Sequence, residues 1–377
     1  MKRRGLWAAL AVIGLVTAAC SDNTAGTTTT GDSQTTTTEA APVTTAAPET
    51  TIPAEAELGS VERPIQVVFV PTADAQVITP AGEVMDQALT EATGLEFEMS
   101  VPASYPAAVD AMCASTTDTM GFIPGIGYVV ASDLCDIEVA AKAVRAGHGV
   151  HWIQFLVLRD SETQSIADLA GTMIWAVPDI GSATEYLVPL VQLADAGITI
   201  PETNILEAGS HANAALAVYR GEADFATTFY LPPITEPPWA IGDPPDVPEE
   251  LVESCAPTPE QELWCGDNYR VLDARASATT EAPDIVQAVR ILEISPGIPN
   301  DTLSFGRDFP KDLRIQVVDA LVALSAECAT DENCVWNTSI GSEDLYGWTG
   351  IEPATDAEYD PLRAVVEVAG LGLDDLD

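Results

Sequence analysis

Val177-Pro178-Asp179-Ile180-Gly181-Ser182-Ala183-Thr184-Glu185 joins two apolar stretches of different character. Before it, Met173 to Val177 is short and continuously apolar, as a buried strand is. After it, Thr184 to Ala196 has the length of a helix and is stopped by Gly197. Strand, turn and helix are half of a βαβ unit, and the alternation continues on both sides. Downstream, Asn204 to Glu207 reads as a strand, Ala212 to Arg220 as a helix and Ala223 to Thr228 as a strand. Upstream, strands are expected at Ile65–Val70, Leu95–Val101, Thr119–Ile123 and Trp152–Leu158, with helices at Ala81–Thr93 and from Pro106 to Cys113. Later, Arg290 to Ile294 reads as a strand, and Asp312–Ala326 and Leu362–Ala369 as helices. The expected fold is α/β with two lobes, each a mainly parallel sheet flanked by helices.

The chain ends of this pattern differ from its middle. Met1-Lys2-Arg3-Arg4, the apolar run Leu6 to Val16 and Thr17-Ala18-Ala19-Cys20 read as an export leader with a lipoprotein cleavage box. Cys20 is then the acylated mature N-terminus, held on the outer face of the cell membrane. Residues 21–62 are rich in Thr, Ala, Pro and Glu with no hydrophobic period, so a solvated tether reaching roughly 35 Å is expected. Residues 63–160 are expected to form the first lobe and 161–293 the second, with 294–377 returning to the first. Within the second lobe, 231–283 is dense in proline and acid and reads as a disulfide-stapled surface excursion.

A hydrophobic content of 47% supports real cores, while the formal charge of −43 excludes a nucleic-acid binder. Any anionic ligand must be held by local hydrogen bonds, since the net field repels it. Beyond Cys20 lie six cysteines, an even number in an exported chain, which favours disulfides. The sequential pairing Cys113–Cys135, Cys255–Cys265 and Cys328–Cys334 is expected because two of these close short loops. Zinc-type spacing is lacking, so no metal or other cofactor is expected. The sequence contains no GxSxG, HExxH, P-loop or GxGxxG motif, and an enzyme is not expected.

Candidate ligand groups sit at strand ends, where α/β folds bind solutes. Free N–H groups at the Ser182-Ala183-Thr184 helix start, with the two hydroxyls, can cradle an anion or simply cap a helix. His211 follows the strand end Glu207-Ala208-Gly209-Ser210, Tyr128 lies on the glycine-rich turn after Ile123, and Tyr105 follows the second strand. Each has an ordinary packing role as its alternative.

The pieces "FIPGIGYVVA" (122–131), "SIADLAGTMIWAVPDIGSATEYLVP" (165–189), "EAGSHANAALAVYRGEADFA" (207–226), "ISPGIPNDTLSFGRDFP" (294–310) and "GWTGIEPATDAEYDPLR" (347–363) stand in a telling order. Together they resemble the phosphate/phosphite/phosphonate-binding proteins of ABC importers, with the type II periplasmic-binding-protein fold. The resemblance implies a monomeric solute-binding protein serving a permease and an ATPase. It implies that Ser182, Ala183 and Thr184 hold a phosphorus oxyanion, that Tyr105, Tyr128 and His211 close on it, and that Asp301 lies near the ligand's far end. Two departures count against an aminoalkyl ligand: Thr228-Phe229-Tyr230-Leu231-Pro232 carries no second acid, and Ala183 replaces a hydroxyl residue. Asp301 then accepts a hydrogen bond from a protonated ligand oxygen, or caps a turn. The same fold with a sulfonate or a thiamine-pathway pyrimidine, or a tethered sensory ectodomain, are the alternatives.

Overall fold

Ile65, Val67, Val68 and Phe69 are all buried, as an interior strand of a covered sheet requires of β1 (Ile65–Phe69). The computed structural model describes residues 56–71, 75–331, 333–342 and 345–376; the leader with Cys20 lies outside them. From β1 the chain runs through α1 (Ala75–Thr93), β2 (Phe97–Ser100), α2 (Tyr105–Ala114), β3 (Thr119–Ile123), α3 (Gly125–Cys135) and β4 (Glu138–Val144). It then enters β5 (Val150–Leu158), β6 (Trp175–Val177), α4 (Val188–Asp195), β7 (Ile205–Glu207), α5 (His211–Tyr219) and β8 (Phe225–Tyr230). A further group comprises β9 (Ile234–Thr235), α6 (Glu249–Val252), β10 (Cys255–Pro257), β11 (Leu263–Cys265) and β12 (Tyr269–Val271). The chain closes with α7 (Ile285–Ala288), β13 (Val289–Ile294), β14 (Ile298–Pro299), β15 (Thr302–Phe305), α8 (Lys311–Glu327), β16 (Gly350–Pro353) and α9 (Asp360–Ala369).

Two large sheets result, one in the order β16-β4-β15-β3-β1-β2 and the other β13-β5-β8-β6-β7, with β14 paired to β5. The α/β architecture is as expected, but both sheets are mixed. Only β1 with β2 and β3, and β6 with β7 and β8, pair in parallel. The strands that lead between the sheets pair antiparallel: β4 with β15, and β5 with β8, β13 and β14.

Three local differences have physical causes. Leu58 is buried in the first core and Glu96 N–H bonds Gly59 C=O, so the folded chain begins before residue 63. Helix α1 extends back through Pro80, whose ring accepts helical φ at the loss of one hydrogen bond. The 231–283 stretch is more than a surface excursion: β10-β11-β12-β9 form an antiparallel sheet, and Val247, Val252, Leu263 and Val271 share a core with Trp152, Leu156 and Val218. Arg275, 1% exposed, locks this insert to the second sheet. Its Nε and Nη2 bond both oxygens of Asp273 (3.0 and 2.9 Å), and its Nη1 bonds Asp246 at 2.7 Å and Val289 C=O at 3.2 Å. A buried guanidinium is tolerable only when its donors are met in this way.

The disulfides are Cys113–Cys135, Cys255–Cys265 and Cys328–Cys334, the sequential set. Cys255 and Cys265 face each other across β10 and β11, so the bond staples the insert's own sheet.

Asp86 on α1 gives the fold a pH signature. Burial, opposed by a backbone hydrogen bond from Met99 and aided by Glu83, pushes its carboxyl up to about 7. A raised folded value means stability that is complete below the unfolded carboxyl value and is lost as pH climbs through the folded one. Asp86→Asn should therefore gain on wild type in melting temperature between pH 4 and 7, with a constant advantage above pH 8. Parallel melting curves for the two proteins would refute this if their difference did not vary with pH.

Candidate functional site

The site lies where the chain passes twice between the two sheets. β4 ends in a tight turn, with Arg145 and His148 exchanging backbone bonds of 2.9 and 3.0 Å around Ala146 and Gly147. Both turn residues have positive φ (49° and 81°), as a two-residue hairpin requires. The second passage, Ile298-Pro299-Asn300-Asp301, pairs β14 with His151 and Val150 before entering β15. Asn300 fastens the two passages. Its Nδ2 donates to Ala143 C=O and His148 C=O, each at 3.0 Å, and its backbone C=O accepts from the Tyr359 hydroxyl at 2.9 Å.

A cavity of about 390 Å³ opens beside this junction. Arg145, His151, Asn300 and Asp301 line it from the passages, Thr184 from the second lobe, and Tyr230 to Pro232 from the end of β8. Arg145 is held by Tyr346 C=O at 3.0 Å and paired with Asp301 at 2.5 Å, leaving Asp301 already neutralised. Burial lowers the pKa of His151 despite the neighbouring Asp301 and Glu185, so the ring is neutral at pH 7. Because the Asn300 amide nitrogen is spent on carbonyls, its Oδ1 accepts from His151 Nδ1–H (2.9 Å), and His151 Nε2 is a bare acceptor.

The segment after β6 is not a plain helix cap. Ala183–Leu187 forms a π-helical turn, closed by Leu187 N–H on Ser182 C=O, before α4 begins. Trp175 Nε1–H donates to Thr227 Oγ1 (2.8 Å), which donates to Glu185 C=O (2.7 Å), pinning the turn to β8. The hydroxyls of Ser182 and Thr184 both donate to Glu185 Oε2, the second at 2.5 Å. Burial also lowers the pKa of His211, against the pull of Glu185. His211 Nδ1 accepts the Phe229 N–H at 3.4 Å, so its Nε2 carries the proton and is a donor.

Of the residues expected from sequence, Thr184 and Asp301 line the cavity. Ser182 and His211 are not among its lining: Ser182 bonds the same Glu185 oxygen as Thr184, the charge of Glu185 acts on the His211 ring, and the Ala183 backbone opens the π turn. Tyr105 starts α2 and does not line the cavity; burial and then the charge of Asp301 push its phenol well above the ordinary value. A Cβ at Gly127 would collide with the Tyr105 hydroxyl, so the glycine at 127 makes room for the ring. Tyr128 is a correction. It lies inside α3, not on a turn, and its hydroxyl donates to Asp356 at 2.5 Å, with the ring edge-on to Tyr359. Helical geometry turns it away from the cavity towards the Asp356 side. Sequence reasoning missed Arg145, His151, Asn300 and Glu185; the Ala146-Gly147 turn between two apolar runs was the available signal for the first.

A family model described as "ABC transporter, phosphonate, periplasmic substrate-binding protein" matches residues 67–359. The chain belongs to this family. Its members are extracytoplasmic binding components of transporters that work with a permease and an ATPase, and are not enzymes. Among the described residues, no helix is long and apolar enough to cross a membrane. A binding protein component of an ABC phosphonate transporter from Pseudomonas aeruginosa is 17% identical, with 80% of this chain and 84% of that one covered and a TM-score of 0.41. PhnD1 from Prochlorococcus marinus, in complex with methylphosphonate, is 13% identical over 81% and 98%, with a TM-score of 0.43. XAC2383 from Xanthomonas citri, bound to ATP, is 13% identical over 83% and 99%, and its TM-score of 0.51 reflects the shared fold.

Asn300→Ala should destabilise the protein by about 2–4 kcal/mol, because two buried carbonyls lose their donor. Urea unfolding measures this; a midpoint equal to wild type would mean that the junction does not depend on this amide.

Proposed function

We propose that this family member captures a phosphorus oxyanion, either a small phosphonate, phosphite or phosphate, and hands it to an ABC importer while held to the membrane through an acylated Cys20. The observation that carries the ligand reading is the cavity at the passage between sheets, where Thr184 meets Arg145 and Asp301. A strongly acidic chain needs neutral donors here: the His211 Nε2–H is one, and the Ser182 and Thr184 hydroxyls, which donate to Glu185 Oε2 in this structure, would have to turn from it to the ligand. Hydrogen bonds to a charged ligand contribute about 1.5–3 kcal/mol each. A handful of them reaches the roughly 8–10 kcal/mol of submicromolar binding. The Arg145–Asp301 pair supports a small ligand, since Asp301 is already committed and no second acid follows β8 to hold an ammonium.

Isothermal titration against phosphate, phosphite, methylphosphonate and 2-aminoethylphosphonate tests the reading, with sulfate and taurine as controls. One phosphorus compound should bind submicromolar. Thr184→Ala and His211→Ala should each weaken it roughly 10- to 100-fold at unchanged melting temperature. Full affinity in both variants would remove these residues from the site. For the anchor, Cys20→Ala should move the protein from the membrane fraction to the soluble one, and retention would show that Cys20 carries no lipid.

A further inference from the structure

We propose that the ligand carries an uncharged hydrocarbon substituent, seated on an apolar floor that Trp152 and Tyr230 make and that the 231–283 insert holds in place. This rests on the ligand reading above and names the part of the phosphonate that the reading leaves open. The cavity lining divides into two connected groups. Arg145 with Asp301, and Asn300 with His151, form the polar one, joined at 2.5 and 2.9 Å. Trp152 and Tyr230 face each other across β5 and β8 with ring centroids 6.3 Å apart, and Val150, Leu231 and Pro232 continue this second group. Alternation along β5 puts Val150 and Trp152 on one face of the strand and His151 on the other.

The second group is built for carbon. Trp152 and Tyr230 are 4% and 1% exposed, and the Tyr230 hydroxyl is shut off from solvent with no partner among the described residues, so ring carbon is what it shows the cavity. Leu231, beside them, is 39% exposed, an apolar side chain on the cavity wall with area left to cover. The rings are held from behind. Trp239 of the insert packs edge-on against Trp152 at 5.6 Å and Tyr230 at 5.8 Å, and its indole N–H donates to Pro244 C=O at 3.2 Å. Size points the same way. At the roughly 30 Å³ that one water takes, the four heavy atoms of a phosphonate group fill about 120 Å³. The cavity is about 390 Å³, so most of it is left for the substituent. A charge on that substituent would lack a counter-ion, because Asp301, the one acid in the lining among the described residues, is paired with Arg145.

The test titrates methylphosphonate, n-propylphosphonate and 2-aminoethylphosphonate, with phosphate and phosphite, into the full chain as wild type, Leu231→Asn and Trp239→Ala, with a melting curve for each protein. Propylphosphonate and 2-aminoethylphosphonate share a shape and differ only by a methyl group against an ammonium. At about fourfold per buried methylene, propylphosphonate should bind wild type roughly 10- to 20-fold more tightly than methylphosphonate. It should exceed 2-aminoethylphosphonate by at least about tenfold. Each variant should cut the propyl-over-methyl ratio at least about threefold, Leu231→Asn by placing an amide in the wall and Trp239→Ala by freeing the rings from behind. Leu231→Asn changes an exposed side chain and keeps the test decisive if Trp239→Ala does not fold. An unchanged ratio in a folded variant would overturn the inference. So would methylphosphonate bound as tightly as propylphosphonate, or 2-aminoethylphosphonate matching it, since the rings would then be reading a cation. Phosphate or phosphite bound with all three phosphonates silent would overturn the inference alone. Silence towards every compound would bring down the ligand reading itself, and this inference with it.

Discussion

The cleft depends on Asn300. Two passages of the chain run side by side between the sheets, and the buried amide of Asn300 on one, 1% exposed, satisfies two backbone carbonyls of the other. Its nitrogen uses both protons on carbonyls at the end of β4 and in the following turn, and its oxygen orients His151. Ala143 N–H adds a bond to Asp301 C=O at 2.9 Å, so the residue that follows is positioned by the same ladder. The consequence for binding is direct. Arg145, His151 and Asp301 reach the cavity from three backbone positions whose relative placement this one residue sets. A hydrogen-bonded polar group at such a point specifies geometry that apolar packing alone would leave loose.

Electrostatics then restrict what the cleft can do. The chain carries −43 overall, and the cavity does not reverse that sign locally, since Arg145 is offset by Asp301. Burial favours the neutral form of His151 and His211, so they act as oriented dipoles and not as cations. Recognition has to come from donors with fixed geometry in a partly desolvated space, where each bond is stronger than in water. The π turn at Ala183–Leu187 brings the hydroxyls at 182 and 184 onto one oxygen, Glu185 Oε2. In a regular helix, residues two apart do not face each other.

How much of this was legible follows from where the information sits. Strand-turn-helix patterns are local, so β1, β3, β6 and α5, the two-lobed architecture and the Ser182–Thr184 turn could be read directly. The disulfides were readable because two of the loops are short. Arg145, His151 and Asn300 were not, because their meeting is produced by antiparallel passages 150 residues apart in sequence, which no local period encodes. Tyr128 was misplaced for the opposite reason. The Pro124-Gly125 pair looks like a turn, yet proline sits comfortably at a helix start, and α3 begins there. Glu185 lay in plain view in the quoted segment, but its role appears only when the side chain is seen folded back onto its neighbours.

The 231–283 insert was read as a surface feature because its strands are too short and too rich in proline for any period to show. Its packing gives it a larger part. Trp239 from the insert meets Trp152 at 5.6 Å and Tyr230 at 5.8 Å between ring centroids, and His148 joins the same cluster at 5.2 Å from Trp152. Trp152, Tyr230 and His148 also line the cavity. The insert therefore backs one wall of the cavity, and the Arg275 network ties it to the second sheet. Aromatic edge contacts of this kind hold ring orientation as well as burying area. The segment thus shapes the cavity without contributing a polar group to its lining. Shape and polarity are supplied by different parts of the chain, which lets one change while the other is kept.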